Sequence, residues 1–541
     1  MADLRHRCDQ RLPGCRERRC GDLPVQLQHG RAPGGHLPPV PGHPSLTRHR
    51  PLTGGARAPV ATSLWGRGPR SWLERTGGRS GGSVQREPRR AEEDGVTVGA
   101  RARARGGPRS FLAAHWPAAC VLLIIVASSY KWRVRNPTDA VSGSFDLANL
   151  VEIGLFGAVG LGLLVAFRRD LPLRHPPRGP LAAGAGYIGL VVVSASYSPY
   201  PAYAVVRAGE ALVVLALAAA LGRHASRAQL HGVAHAFVAL VVVSAAVGLV
   251  LPFPVVSPLQ VGRFTWLSVH PNVSSVFSAL ALVIAVSHLS ARTPPPGPRW
   301  GRPAHAAAAA VCAAALLASQ TRGAAAGALA GCALVVLLHQ PLRARVQLAL
   351  ALPPVVGLLG FAASTWITGF VTRGEDPEQL ATLNARTDLW TVAVEAVERR
   401  PLFGYGVGSP RGIFYEATGL GGGHNEVINV VVEVGLVGLA VWTAFVVGLL
   451  VRSVRRPDGG GPVVDAPVLL GSTATIVIAG IFYDGPGAIA TLSSTWLFVV
   501  AGWIGVLQRP APVHLPTLSA RVRPPTAPAR WPAPATGARP R

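Results

Sequence analysis

The sequence predicts an all-α fold: a polytopic integral membrane protein of about twelve transmembrane helices with one large extracytoplasmic loop. Three observations carry this expectation. Hydrophobic residues make up 49% of the chain and charged residues only 14%, with a mean hydropathy of +0.34, a membrane-protein composition. Apolar stretches close to the roughly 20 residues a helix needs to cross the hydrocarbon core recur between residues 111 and 507. Arginine is concentrated in alternate connections between those stretches.

The spans are expected at about 111–130, 147–167, 180–198, 202–221, 229–251, 270–289, 304–320, 322–338, 346–366, 425–451, 463–483 and 488–507. The boundary between the seventh and eighth is the weakest, since one bent helix there would invert everything downstream. Charge tests the count. With the N-terminus inside, the cytoplasmic connections hold Arg168, Arg169, Arg174, Arg178, Arg223, Arg227, Arg292, Arg299, Arg302, Arg343, Arg345, Arg452, Arg455 and Arg456. Beyond the first connection, the short opposite loops hold only Arg263 and Arg322. This positive-inside bias puts both termini in the cytoplasm and turns the long polar loop, residues 367–424, outward.

The formal charge of +26 sits mostly in the tails. Residues 1–110 carry 21 Arg against 9 acids, and residues 508–541 carry 6 Arg and no acid. Basic tails beside a membrane fit anionic lipid headgroups and imply no nucleic-acid partner. Both are expected to be disordered: the first is rich in Arg, Pro, Gly and Ser, the second in Pro, Ala and Arg. For residues 1–95 a second reading stands, in which translation begins near Val96 or Val98. The six cysteines form no framework. Cys8, Cys15 and Cys20 lack a fourth ligand and zinc-like spacing; Cys120, Cys312 and Cys332 lie in apolar stretches as small hydrophobes.

Ionisable residues inside spans are costly and mark a cavity or a partner. Arg207 and Glu210, three residues apart, share a helix face. They form either a mutual pair or a site in which Arg207 reaches an anionic substrate. Gly262-Arg263 precedes His270-Pro271-Asn272, where Pro271 suits the first turn of a helix, so His270 and Asn272 are read as a helix start as well as candidate contacts. Ser319-Gln320-Thr321-Arg322-Gly323 opens a small-residue helix (Gly323, Gly327, Gly331) suited to close packing. In the long loop, Arg386, Trp390 and Ala393 recur at helical spacing, and an amphipathic helix is expected over 378–400. Gly404-x-Gly406-x-Gly408 makes a tight turn or a close backbone approach, with no strand before it to make a dinucleotide site. His424 follows three glycines at the mouth of the next helix, and Glu433 lies about two and a half turns inside.

Arg263, Arg322, Arg386 and His424, with Arg207 just below, are thus expected at one membrane face. Several guanidiniums and one imidazole suit a phosphorylated lipid headgroup, because arginine binds phosphate oxygens bidentately and stays charged. Histidine works as a general base near neutral pH. No D-x-D pair, P-loop or Ser-His-Asp signature is present, so neither a metal nor a cofactor is expected.

Over about residues 145–507 the chain resembles the O-antigen ligase and O-antigen polymerase superfamily of bacterial envelope polysaccharide proteins. Arg263 with His270-Pro271-Asn272, the Ser-x-Thr-Arg-Gly turn, Arg386-x-x-x-Trp390, Pro401-x-x-Gly404-x-Gly406-x-Gly408, and His424-Asn425 with Glu433-x-Gly435-x-x-Gly438 carry the resemblance. It implies a metal-independent, inverting glycosyltransferase of the cytoplasmic (inner) membrane. The donor would be an undecaprenyl-diphosphate-linked glycan and the acceptor a glycan or glycolipid hydroxyl. His424, Arg263 and Arg386 would be catalytic; Arg207, Arg322, Trp390, Glu433, His270 and Asn272 would bind substrate. The alternative is a multi-span transporter or flippase for an anionic or lipid-linked substrate.

Overall fold

The computed structural model describes residues 108–130, 146–168, 176–251, 261–266, 270–298, 300–372, 386–419, 421–455, 465–483, 487 and 490–509. The expected disordered tails, apart from a few residues at the inner edge of each, and residues 373–385 of the long loop lie outside this set. Within it the chain is helical, with no β-sheet. The helices are α1 (Pro108–Ser129), α2 (Leu147–Phe167), α3 (Pro180–Ser194) with a 3-10 turn at Ala195–Tyr197, α4 (Pro201–His224), α5 (Arg227–Val250) and α6 (Pro271–Ser290). They continue with α7 (Arg302–Ala318), α8 (Arg322–His339), α9 (Leu342–Ala362), α10 (Ser364–Thr372), α11 (Arg386–Arg399) and α12 (Pro410–Thr418). The last three are α13 (Glu426–Val454), α14 (Ala466–Gly480) and α15 (Leu492–Leu507).

Among the described residues, eight helices are long and apolar enough to cross a membrane: α2, α3 with its 3-10 turn, α4, α5, α6, α8, α9 and α13. Four shorter apolar helices, at 113–129 within α1, α7, α14 and α15, occupy the remaining expected spans. The doubtful seventh boundary is two helices. A turn at Ser319–Thr321, with Gln320 at φ 51°, separates α7 from α8.

The starts of these helices follow from local chemistry. Ser226 and Gln229 make a reciprocal capping box on α5, satisfying two donors that a helix start leaves bare. Asp146 caps α2, Asn425 caps α13, and Thr491 with Ser494 caps α15. The small face of α8 lies against α14: a Cβ on Gly327 would meet the Thr475 carbonyl at 2.6 Å, and one on Gly331 the Gly471 carbonyl at 2.8 Å. Only glycine permits that approach, as the small-residue pattern predicts.

One apolar core joins α1–α8 with α13–α15. A second, smaller cluster of Leu389, Ala393, Ala396, Phe414 and Val432 fixes α11 and α12 onto the first half of α13. The long polar segment is therefore a helical cap docked on α13. The helix expected over 378–400 is described from Arg386 onward; residues 373–385 lie outside the described set.

α13 is not continuous. Gly435, at φ 69° and ψ −171°, breaks it, which frees two carbonyls and two N–H groups. The 401–408 segment meets all four. Tyr405 N–H donates to the Val432 carbonyl (2.9 Å) and Gly406 N–H to the Glu433 carbonyl (2.8 Å). Beyond the break, Leu436 N–H donates to the Pro401 carbonyl (2.8 Å) and Val437 N–H to the Leu402 carbonyl (3.2 Å). Backbone polar groups away from water need such partners, so the glycine-rich turn is the plug of a broken helix.

Candidate functional site

A cavity of about 240 Å³ opens where α1, α4, α6, α13 and the 401–408 plug meet. Arg207, Tyr203, His270, Glu433, Tyr483 and Thr491 are among its walls. The fold places these groups deliberately. The plug ends at Gly408, whose N–H donates to Glu433 Oε1 (2.9 Å), so the break in α13 also aims the Glu433 carboxylate. Val407 at the plug tip is tied to the α3 end: its N–H donates to Ser194 Oγ (3.1 Å) and its carbonyl accepts from Ser198 Oγ (2.8 Å).

Arg207 sits between two carboxylates, with Nη1 2.7 Å from Glu210 and 3.3 Å from Glu152. Its Nε donates to the Tyr203 hydroxyl (3.0 Å). Arg411 stands 4.3 Å above the Tyr203 ring, a cation–π contact. The mutual-pair reading of Arg207 and Glu210 is thus realised, Glu152 joins it, and Arg207 still faces the cavity. Such a charge group is a specific polar element and not in itself a source of stability.

Arg263 stitches three separate sequence motifs together. Its Nε donates to the Ser319 carbonyl (2.9 Å), and its Nη2 donates to Asn272 Oδ1 (3.2 Å) and Thr321 Oγ1 (3.1 Å). The H-P-N and S-x-T-R-G elements meet through this one guanidinium. Arg322 is the first residue of α8, directly after Thr321.

His270 is the N-cap of α6, accepting the Asn272 N–H at Nδ1 (3.1 Å). Pro271 takes the first helical position as expected. Burial, then the Arg263 guanidinium and the nearby His424, pushes the His270 imidazole down to about 4. It is neutral at physiological pH, and because Nδ1 accepts, the ring proton is on Nε2. His270 presents a donor where a base would need a lone pair.

His424 lies near enough to bear electrostatically on His270. It is half-buried and holds a left-handed backbone at φ 48°. Its neighbours force this. Gly423 N–H donates to Asn429 Oδ1 (3.0 Å), and Asn425 Oδ1 accepts from Val427 N–H (2.9 Å). Non-glycine residues with positive φ are uncommon, and they cluster where function holds strain in place. Among the described residues there are four: Trp266, Gln320, His424 and Ala490. Ala490 lines the cavity, Gln320 lies in the turn that Arg263 grips, and Trp266 follows Arg263 by three residues.

Of the residues singled out from sequence, Arg207, His270 and Glu433 line the cavity; Asn272 is hydrogen-bonded to His270, and Arg263 to Asn272. His424 is coupled to it through His270. Arg386 opens α11, and Trp390 packs against the small cluster beside Leu389; neither is among the cavity walls. Sequence reasoning missed Glu152, Tyr203, Arg411 and Glu426. Glu426 is buried at the start of α13 and accepts the Gly487 N–H. Glu152 and Glu426 carry a readable signal, a lone carboxylate in or against an apolar helix. Tyr203 and Arg411 carry none.

No curated protein matches the chain. Residues 307–443 match a family model described as O-antigen ligase. The match runs from α7 through the S-x-T-R-G turn, the helical cap and His424 to the middle of α13, and Arg207, Arg263, His270 and Asn272 precede it. The resemblance read from the motifs is thereby supported over residues 307–443 of this membrane protein, where the chain is similar to the O-antigen ligase family.

Proposed function

We propose that the protein is a membrane glycosyltransferase, a ligase or polymerase, acting at the outer face of the bacterial cytoplasmic membrane. It transfers a glycan from an undecaprenyl-diphosphate-linked donor to the hydroxyl of a glycan or glycolipid acceptor. The observation that carries this reading is His424. It lies inside the O-antigen ligase segment, is held in a strained backbone between two anchored residues, and is coupled electrostatically to a histidine in the cavity wall.

In this reading the acceptor oxygen attacks the anomeric carbon from the face opposite the diphosphate and inverts it. The hydroxyl proton passes to His424, and the bond from the anomeric carbon to the phosphate oxygen breaks. Charge gathers on the departing undecaprenyl diphosphate, where fixed cations are worth most. Arg263, Arg322 and Arg386 meet it, so the step runs without a metal. Arg207, fixed by Glu152 and Glu210, positions the headgroup, and His270 donates from Nε2. Trp390, Glu433 and Asn272 shape the approach.

A broken helix is also a transporter feature, where bare helix ends coordinate substrate or ions. Here the four backbone groups freed at Gly435 are spent on the 401–408 plug, which favours the transferase. The test is glycan transfer from a lipid-diphosphate donor in proteoliposomes, with His424→Ala and Arg263→Ala assayed separately. Loss of turnover is expected, and normal turnover in both variants refutes the site. Deleting the gene should cause lipid-linked glycan to accumulate.

A further inference from the structure

The opposite end of the bundle holds a second polar cluster that the transferase reading does not use. His235 on α5, His288 on α6 and His305 in the first turn of α7 are each at least 94% buried. One ring nitrogen from each lies within 4.8 Å of those of the other two. On α6, His288 stands 18 residues beyond His270, about 27 Å along a helix rising 1.5 Å per residue.

The hydrogen bonds around this cluster determine which nitrogens carry protons. The Asp465 carboxylate takes Nε and Nη2 of Arg227 and Nε1 of Trp503 (2.9 Å). It also pairs with His231 Nε2 at 3.2 Å, so that nitrogen carries the hydrogen. His231 Nδ1 is then an acceptor, and it faces His288 Nε2 at 3.1 Å, which must donate. His288 Nδ1 is left as a bare lone pair. Independently, His235 Nδ1 lies 2.7 Å from the His231 carbonyl, so it donates and His235 Nε2 is a bare lone pair as well. Within this cluster, His288 Nδ1 and His235 Nε2 are also buried ring nitrogens that lack a hydrogen-bond partner. A buried unsatisfied acceptor is costly, and two in one cluster call for a ligand.

We propose that His235, His288 and His305 bind a divalent transition-metal ion of the zinc class, with His231 and Asp465 as the positioning shell. Three neutral imidazoles suit zinc and exclude a magnesium or calcium preference. An imidazole whose second nitrogen is held by a carboxylate, a carbonyl or a relay to one is the recurring support of metal-bound histidine. Ligands of a tetrahedral zinc ion stand about 3.3 Å apart at bond lengths near 2.0–2.1 Å, so the rings need move in by only an ångström or so. The ion clamps α5, α6 and α7 together, about 27 Å from the cavity, and the inference stands whether or not the transferase reading does.

The experiment uses the full chain in detergent micelles, stripped with chelator and titrated with Co²⁺ and then Zn²⁺. One Co²⁺ per chain should bind with the intense visible absorption of a tetrahedral nitrogen site, and Zn²⁺ should bleach it. Zn²⁺ should raise the thermal transition of the wild-type chain, while His235→Ala, His288→Ala and His305→Ala each abolish the absorption. Asp465→Asn should weaken Zn²⁺ binding about 10–100-fold yet give the same Co²⁺ spectrum at saturation, which a merely structural role would not. A stripped wild-type chain that takes up Co²⁺ without tetrahedral absorption, or Zn²⁺ binding unchanged across the three alanine variants, overturns the proposal. The wild-type titration decides the matter even where a variant does not fold.

Discussion

Helix α6 carries a histidine at each end, and the two differ because their neighbours differ. His270 stands beside a fixed cation: Arg263 is bonded to the same N-terminal turn, and His424 is within electrostatic reach. A neutral ring there donates, and the surroundings favour an anion. His288 stands among imidazoles whose protons are drawn away through His231 to the Asp465 carboxylate. A neutral ring there offers a lone pair, and the surroundings favour a cation. The same side chain on the same helix is set for opposite ligands by what lies within one residue's reach.

The variant that tests this contrast most severely is His424→Ala. A general base contributes about 10²- to 10⁴-fold, so glycan transfer should fall by that much, while Co²⁺ uptake at the far end stays intact. If both fall together, the two ends are one cooperative fold and the contrast is lost. Next comes Gly435→Ala. Its φ/ψ lies where only glycine is at ease, a penalty of about 1–3 kcal/mol, and the new Cβ would collide with the Leu402 carbonyl. The thermal transition in detergent should drop markedly, and because the plug aims Glu433, residual folded protein should bind donor poorly.

Much of the architecture was open to a reading of the sequence, because hydrophobic period and length report burial directly. The expected spans at 229–251, 270–289 and 425–451 are observed as Arg227–Val250, Pro271–Ser290 and Glu426–Val454. His270-Pro271 as a helix start and the small face of α8 were equally legible, since each is a local rule. The plug was not. Its partner is a break in a helix about 30 residues downstream, and the bonds between them are backbone to backbone, which leave no side-chain signature beyond the glycines. The histidine cluster was hidden for a similar reason. Its ligands come from three helices spread over 70 residues, and the one local hint, His231 and His235 at i, i+4 on α5, reads as an ordinary helix face. Its supporting Asp465 is more than 150 residues further on.

Arg263 invites a finer cut. Its three hydrogen bonds hold the H-P-N and S-x-T-R-G turns together, and losing bonds from a charged group costs about 1.5–3 kcal/mol. Arg263→Ala should therefore lower both stability and transfer. Arg263→Lys keeps the charge but not the planar fork. If the guanidinium serves chiefly as a staple, lysine is as unstable as alanine. If it also meets the diphosphate, lysine should keep more transfer than alanine at equal stability. Measuring the thermal transition and kcat/KM of both variants separates the two contributions.

The smallest effect at neutral pH belongs to His270→Asn, since asparagine is as good an N-cap as any residue. Stability at pH 7 should change by less than about 0.5 kcal/mol. The difference emerges on acidification. The folded imidazole titrates at about 4 against an ordinary value of 6.5, so the unfolded chain takes up the proton first. By linkage, wild-type stability is full above 6.5 and declines as pH falls toward about 4, where the folded ring also protonates and Nδ1 can no longer accept the Asn272 N–H. The His270→Asn variant lacks that titration. Thermal transitions at pH 7 and pH 5 should converge at the first and separate at the second, with the variant the more stable. Equal losses in the two proteins would show that His270 is not held neutral by its burial beside Arg263, and the anion-favouring character assigned to that end of α6 would fall with it.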